Sequence, residues 1–308
     1  MPDISLIDPG QHGLDSARQD EALKLAARIP ALIVMAHEIA ASVMHGVHGR
    51  RRPGTGESFW QFRPYSSGES ASRIDWRRSA RDQMLYVRER EWEAAHTILL
   101  WVDRSPSMHF VSSLARQSKV DRALVLGLAA ADLLVASGER IGLIGLTRPQ
   151  ATRRIIERLA DAWIKEERTP GYRAAEMPEA FPLPRGAQAL LIGDFLCDPE
   201  ELGTVIDSLA AQGARGHLLM IADPVEETFP FKGHLELVDV DSPARFRVGH
   251  AEHFAQDYQT RLAAHREAIA RIASRRGWSL LLHRTDRPAS EALLALRMRL
   301  EAGTMMRI

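Results

Sequence analysis

Cysteine is nearly absent from this chain: among 308 residues only Cys197 carries a thiol. One thiol cannot close an internal disulfide, and it cannot frame a zinc centre unless several histidines gather around it. A reducing compartment is therefore expected. Net charge is also lacking, since 40 Lys plus Arg balance 40 Asp plus Glu. That balance argues against a dedicated binder of nucleic acid or of membrane surface. Long apolar runs are missing too. "IPALIVMAHEIAASVM" and "RALVLGLAAADLLVA" fall short of the roughly 20 residues that cross a bilayer, and each holds a charged residue. Direct membrane insertion is not expected. The opening "MPDISLIDPG" has acids where a secretory signal needs positive charge followed by an apolar stretch. The expectation is a soluble, cytoplasmic protein.

Signatures of catalysis are scarce. There is no G-x-S-x-G elbow, no phosphate loop ending in G-K-[ST], and no H-E-x-x-H helix. "GTGESF" has the glycines of a phosphate cradle but not its lysine. Two H-x-x-H pairs occur, His45 with His48 and His250 with His253. Neither has an obvious third ligand, so both read as solvated or capping pairs rather than zinc sites. Arg50 to Arg52 are the best feature for nucleic acid, against an even overall charge.

What is present is an ordinary globular composition, 45% hydrophobic and 26% charged. The chain changes character near residue 93. Before it come a helix over about 20 to 45 and a stretch rich in Gly, Ser, Arg and aromatics. There, two strand-like pieces, "SFWQFRPY" and "MLYVRERE", bracket a turn and a short helix near Trp76. After it, apolar strands alternate with helices: "HTILLWV", "RIGLIGL", an edge piece near 151 to 155, "ALLIGDF", "GHLLMIAD" and "WSLLLHR". This pattern predicts an α/β fold, a doubly wound and mostly parallel sheet covered on both faces. The division expected is 1–93 for the helix and a small mixed lobe, and 94–308 for the α/β domain.

In such a sheet ligands bind beyond the carboxyl ends of the strands, where strand order reverses. Asp103 ends the first strand and Asp194 ends "ALLIGD". In "VDRSPSMHF" the side chains of Asp103, Ser105 and Ser107 alternate along an extended loop and can converge on one point. Carboxylate and hydroxyl oxygens suit a hard cation, Mg²⁺ or Mn²⁺, with open positions that a partner's carboxylate could fill. Asp and Ser at a strand-to-helix junction are equally common as caps and turn formers. Both readings stand on the sequence alone, as does a Mg²⁺-dependent phosphoryl-transfer or hydrolytic enzyme using Asp103 and Asp194.

"LLWVDRSPSM" followed by an amphipathic helix resembles the metal-ion-dependent adhesion site of von Willebrand factor A domains, whose first loop reads Asp-x-Ser-x-Ser. The resemblance implies metal ligation by Asp103, Ser105 and Ser107, a later acid at Asp194, and a threonine on a middle loop, for which Thr169 in "RTPGYRA" is the candidate. The order "GTGESFWQFRPYSSGESASRIDWRRSARDQMLYVREREWE", then this strand, then "GDF" and "IADPVEETFP", resembles the bacterial domain-of-unknown-function family number fifty-eight. Members of that family resemble partners or adaptors of MoxR-type AAA+ ATPases, and many carry membrane helices. The chain departs from the family pattern at "GES", 68 to 70, where an acidic pair usually follows the glycine. Matching signature positions include Arg63, Tyr65, Arg73, Asp75, Trp76 and Arg81. They read either as a partner surface or as a packed, ion-paired network in which Asp75 meets Arg73, Arg77 and Arg78 and Trp76 is buried. The function expected is a non-enzymatic, metal-dependent protein-interaction module.

Overall fold

The computed structural model describes residues 9–48, 59–81, 84–90, 95–179, 181–238 and 245–305. They form two compact units, one made of Met1–Gly46 with His96–Ile308 and the other of Val47–Ala95.

The smaller unit holds strands β1 (Phe59–Pro64) and β2 (Tyr86–Arg90), paired antiparallel, with the short helix α2 (Trp76–Ser79) between them. The two strands and the short helix are where the sequence places them.

In the larger unit the runs "HTILLWV", "RIGLIGL", "ALLIGDF", "GHLLMIAD" and "WSLLLHR" supply parallel strands. Strands β3 (Thr97–Val102), β4 (Arg140–Leu143), β5 (Gln188–Gly193), β6 (Arg215–Ala222) and β9 (Ser279–Arg284) form one sheet in the order β4-β3-β5-β6-β9. Side-chain alternation splits its apolar residues between two cores. Ile98, Leu100, Leu190, Ile192 and Leu219 face helices α3 (Lys119–Ala136), α4 (Ile155–Glu167) and α8 (Ala289–Met305). Leu99, Leu191, Leu218 and Met220 face α5 (Pro199–Ala211) and α7 (Ala251–Arg275). Helices thus cover both faces, and the expected doubly wound α/β class is the one observed.

Three features differ from the sequence reading. The edge piece near 151 to 155 is not a strand; a single bridge between Ile141 and Gln150 takes its place. An unforeseen hairpin, β7 (Leu235–Val238) with β8 (Arg245–Val248), lies between the turn of helix α6 (Pro224–Thr228) and α7. The first helix, α1 (Pro9–His48), was grouped with the lobe, but its residues up to Gly46 belong to the larger unit, and the expected boundary after 93 falls outside the described residues.

The reason is a buried stripe on α1. Leu25, Ile29, Leu32, Ala36, Ala40 and Val43 recur at helical spacing and join the core of α3. Arg28 pairs with Asp121 at 2.7 Å and His37 with Asp132 at 2.8 Å, both on α3. The apolar stretch of α1 is longer than the sequence reading allowed. It runs Leu23–Met44, 22 residues at mean hydropathy 1.4, long and apolar enough to cross a membrane by length and composition. The run "IPALIVMAHEIAASVM" starts at Ile29, after Arg28, and excludes Leu23, Leu25, Ala26 and Ala27.

Candidate functional site

Strand β3 hands the chain through α3 on one face to β4, whereas β5 hands it through α5 on the other face to β6. The connections therefore diverge between β3 and β5, which is where a doubly wound sheet opens a crevice. Asp103 and Asp194 stand at the ends of these two strands. The Asp103 amide donates to the Ile192 carbonyl at 2.8 Å, fixing the end of β3 against β5.

Asp103 is buried to 1% exposure and Ser105 to 0%. Asp103 Oδ1 accepts the Ser105 amide at 2.8 Å. Burial pushes its carboxyl up to about 7, against the lowering effect of the Ser105 hydrogen bonds and with a further rise from Asp194. Ser105 Oγ and Ser107 Oγ are 3.2 Å apart, and Ser107 Oγ donates to Asp194 Oδ2 at 3.0 Å. Asp194 Oδ1 accepts the Leu196 amide at 3.2 Å. The four residues form one connected oxygen cluster.

The model of the family described as "Protein of unknown function DUF58" matches residues 61–268. The chain belongs to this family. Uncharacterized proteins Mb1516 of Mycobacterium bovis and Rv1480 of Mycobacterium tuberculosis are each 29% identical over 279 residues, spanning 86% of this chain and 86% of the relative. Among solved structures, an aerotolerance-related membrane protein from Bacteroides fragilis is 13% identical at TM-score 0.41, covering 68% of this chain and 100% of its own. The SpRpn10 VWA domain is 10% identical at TM-score 0.30, covering 65% of this chain and 94% of its own.

Sequence reasoning missed the cation inside the DUF58 cluster. Lys119, the first residue of α3, is 1% exposed, and its Nζ lies 2.8 Å from Asp194 Oδ2 and 2.5 Å from Glu226 Oε1. Burial lowers its pKa, but the two carboxylates outweigh that and the net direction is up, so the ammonium stays charged. Glu226 is held in turn: its Oε2 accepts the Asp223 amide at 2.8 Å, closing the capping box of α6. The signal was present in "IADPVEE", an acid-rich cap directly after a buried strand, but nothing local linked it to "SKVDR".

Thr169 does not join the cluster. It is exposed, its hydroxyl donates to the Lys165 carbonyl at 3.1 Å, and no contact among the described residues ties it to Asp103, Ser105, Ser107 or Asp194. It follows the C-cap of α4, bonded back to the last turn of that helix.

Arg104 does something else. It is buried, and its guanidinium meets Glu166, Glu167 at 3.1 Å and the Tyr172 hydroxyl at 2.8 Å, which ties the end of β3 to α4. A cavity of about 470 Å³ opens beside it, lined by Trp101, Ile144, Leu146, Trp163 and Tyr172 among others. Several large apolar side chains on loops of this same edge are exposed: Phe110 at 39%, Val111 at 50%, Leu114 at 54% and Leu196 at 51%. Leu196 follows Phe195, whose φ of 48° is left-handed, a strained conformation for a phenylalanine. That turn buries the Phe195 ring and sends Leu196 outward.

The small lobe shows how its signature residues are used. Arg63 pairs with Glu69 at 2.6 Å, and the Tyr65 hydroxyl donates to the Glu69 carbonyl at 2.6 Å. Asp75 is the N-cap of α2, accepting the Arg78 amide at 2.9 Å, while the Arg78 guanidinium sits 4.9 Å from the Tyr86 ring centre. Arg73 ends a short 3₁₀ turn, and Arg81 is exposed. Trp76 departs from the packed position expected of it, standing 62% exposed. Arg50 to Arg52 and most of "GTGESF" lie outside the described residues.

Proposed function

We propose that this chain is a non-catalytic protein-interaction module that docks its partner at the carboxyl edge of the sheet, through Mg²⁺ or Mn²⁺ held at Asp103, Ser105 and Ser107. The observation that carries the reading is Asp103. It is a buried carboxylate that no cationic side chain pairs with among the described residues, beside two hydroxyls 3.2 Å apart. Burial disfavours the ionised form of this carboxyl, and a hard cation with oxygen ligands would stabilise that form. The donor chemistry therefore fits. Asp194 would join directly or through water. The ion would supply a positive centre with open positions, and a partner's Asp or Glu would fill one.

The exposed Phe110, Val111, Leu114 and Leu196 support the same reading, since apolar side chains around a polar centre suit a protein interface. The partner proposed is a MoxR-type AAA+ ATPase, as the family resemblance implies. Trp76, with Arg63, Tyr65, Arg73, Asp75 and Arg81 on the small lobe, is proposed as a second contact region. The cytoplasm is the proposed location, and the burial of one stripe of α1 in the core of the larger unit favours a packed helix over a spanning one.

The test is capture of the purified MoxR-type ATPase of the same organism on the immobilised chain. Capture in Mg²⁺ should be abolished by chelation and by Asp103→Ala. Equal capture by wild type and Asp103→Ala, persisting in chelator, would contradict the proposal.

A further inference from the structure

Lys119 occupies a place that local rules disfavour. It follows the N-cap Ser118, whose hydroxyl accepts the Asp121 amide at 3.2 Å, and so puts an ammonium at the positive end of the α3 dipole. It is also desolvated, at 1% exposure. A residue that violates two local preferences at once, inside a candidate site, points to function.

Its contacts show which function. The oxygen that accepts the ammonium at 2.8 Å, Asp194 Oδ2, is the same oxygen that accepts Ser107 Oγ at 3.0 Å. The other oxygen, Oδ1, holds the Leu196 amide. Asp194 is therefore already satisfied, and a metal at Ser105 and Ser107 would have to share it with a tethered cation. The ammonium has a second holder 2.5 Å away in Glu226 Oε1, which belongs to no ligand set. Glu226 is pinned by the Asp223 amide, and Asp223 by the amides of Ser112 at 3.0 Å and Val225 at 2.9 Å. The second holder is positioned by contacts that do not involve Asp194.

We infer that Lys119 is a built-in cation that competes with the metal for Asp194, and that Glu226 is the fixed acceptor that keeps its ammonium when Asp194 is given up to the metal. This rests on the metal reading above and adds the residues that set its strength. Two like charges near one carboxylate repel, so the lysine weakens metal binding in the free protein. Weak intrinsic binding makes the partner's carboxylate necessary for full occupancy. The Lys119–Glu226 pair then decides how strongly docking depends on the partner.

The test is direct Mn²⁺ binding by electron paramagnetic resonance to wild type, Lys119→Met and Glu226→Gln, with circular dichroism to verify folding. Lys119→Met should bind Mn²⁺ more tightly by about tenfold, the change that about 1.4 kcal/mol produces. Glu226→Gln leaves the ammonium with Asp194 alone and should bind more weakly than wild type. If wild type binds and Lys119→Met binds equally or less well, the inference is overturned while the metal reading stands. Binding by Lys119→Met but not by wild type upholds the inference and overturns the metal reading for the native chain. No binding by any variant overturns both. Should Lys119→Met fail to fold, Glu226→Gln decides, since equal or tighter binding there contradicts the competition.

Discussion

The backbone of Gly193 lies against the side chain of Asp103: a Cβ at position 193 would stand 2.9 Å from Asp103 Cβ and 3.2 Å from its Oδ2. Glycine at the end of β5 is what lets the aspartate at the end of β3 turn inward beside Ser105. Gly193→Ala is expected to cost about 1–3 kcal/mol through overpacking, and to displace the carboxylate. Urea unfolding measures the first effect. Loss of Mn²⁺ binding in a variant that remains folded measures the second.

"HTILLW" and "ALLIGD" were legible as buried strands because a parallel strand covered on both faces is a continuous apolar run. Asp103, Ser105 and Ser107 were legible because alternation along one loop is a local property. Lys119 was not. Its partner Asp194 lies 75 residues away, and only the fold joins a helix start to the end of another strand. The hairpin β7–β8 was missed because each strand is only four residues long and largely exposed, so the alternation in "LELV" and "RFRV" is too brief to stand out beside the buried runs. The exposure of Trp76 was missed because a tryptophan's composition argues burial, while its place at the start of a one-turn helix leaves it outside.

A second glycine makes a stronger demand. Trp278, 4% exposed, lies over Gly216 on β6 so closely that a Cβ there would come within 2.3 Å of its ring. The ring is rigid and packed in the core under α5 and α7. Gly216→Ala should therefore destabilise the larger unit by about 3 kcal/mol or more, whereas Gly213→Ala, in a turn with open space, should cost only its left-handed φ of 81°. Denaturation midpoints of the two variants check the ranking.

Two buried histidines give a signed pH dependence. Burial holds His217 and His283 down to about 4 from the ordinary 6.5, with Arg299 and Arg122 respectively adding to the effect. A depressed folded pKa gives stability that is full above the unfolded value and is lost as pH falls from about 6.5 toward 4. Each histidine contributes a slope of about 1.4 kcal/mol per pH unit in that window. The raised carboxyls of Asp103 and Glu226 slope the other way, so the comparison must be internal. His283→Gln keeps an acceptor for Arg122, which donates at 3.3 Å to His283 Nε2. Wild type should lose stability relative to this variant on acidification, read by urea unfolding at pH 7, 5.5 and 4.5. A difference independent of pH would contradict the buried neutral imidazole.

The most direct test of the account is thermal unfolding against Mg²⁺ and Mn²⁺ concentration, wild type beside Asp103→Ala. A ligand that binds only the folded state raises the midpoint by mass action, by about 2.7 kcal/mol of stability at a hundred times its dissociation constant. A rise in wild type that Asp103→Ala abolishes is the predicted result. Midpoints that do not move with metal in wild type, or that move equally in both proteins, would contradict a cation centre at Asp103, Ser105 and Ser107.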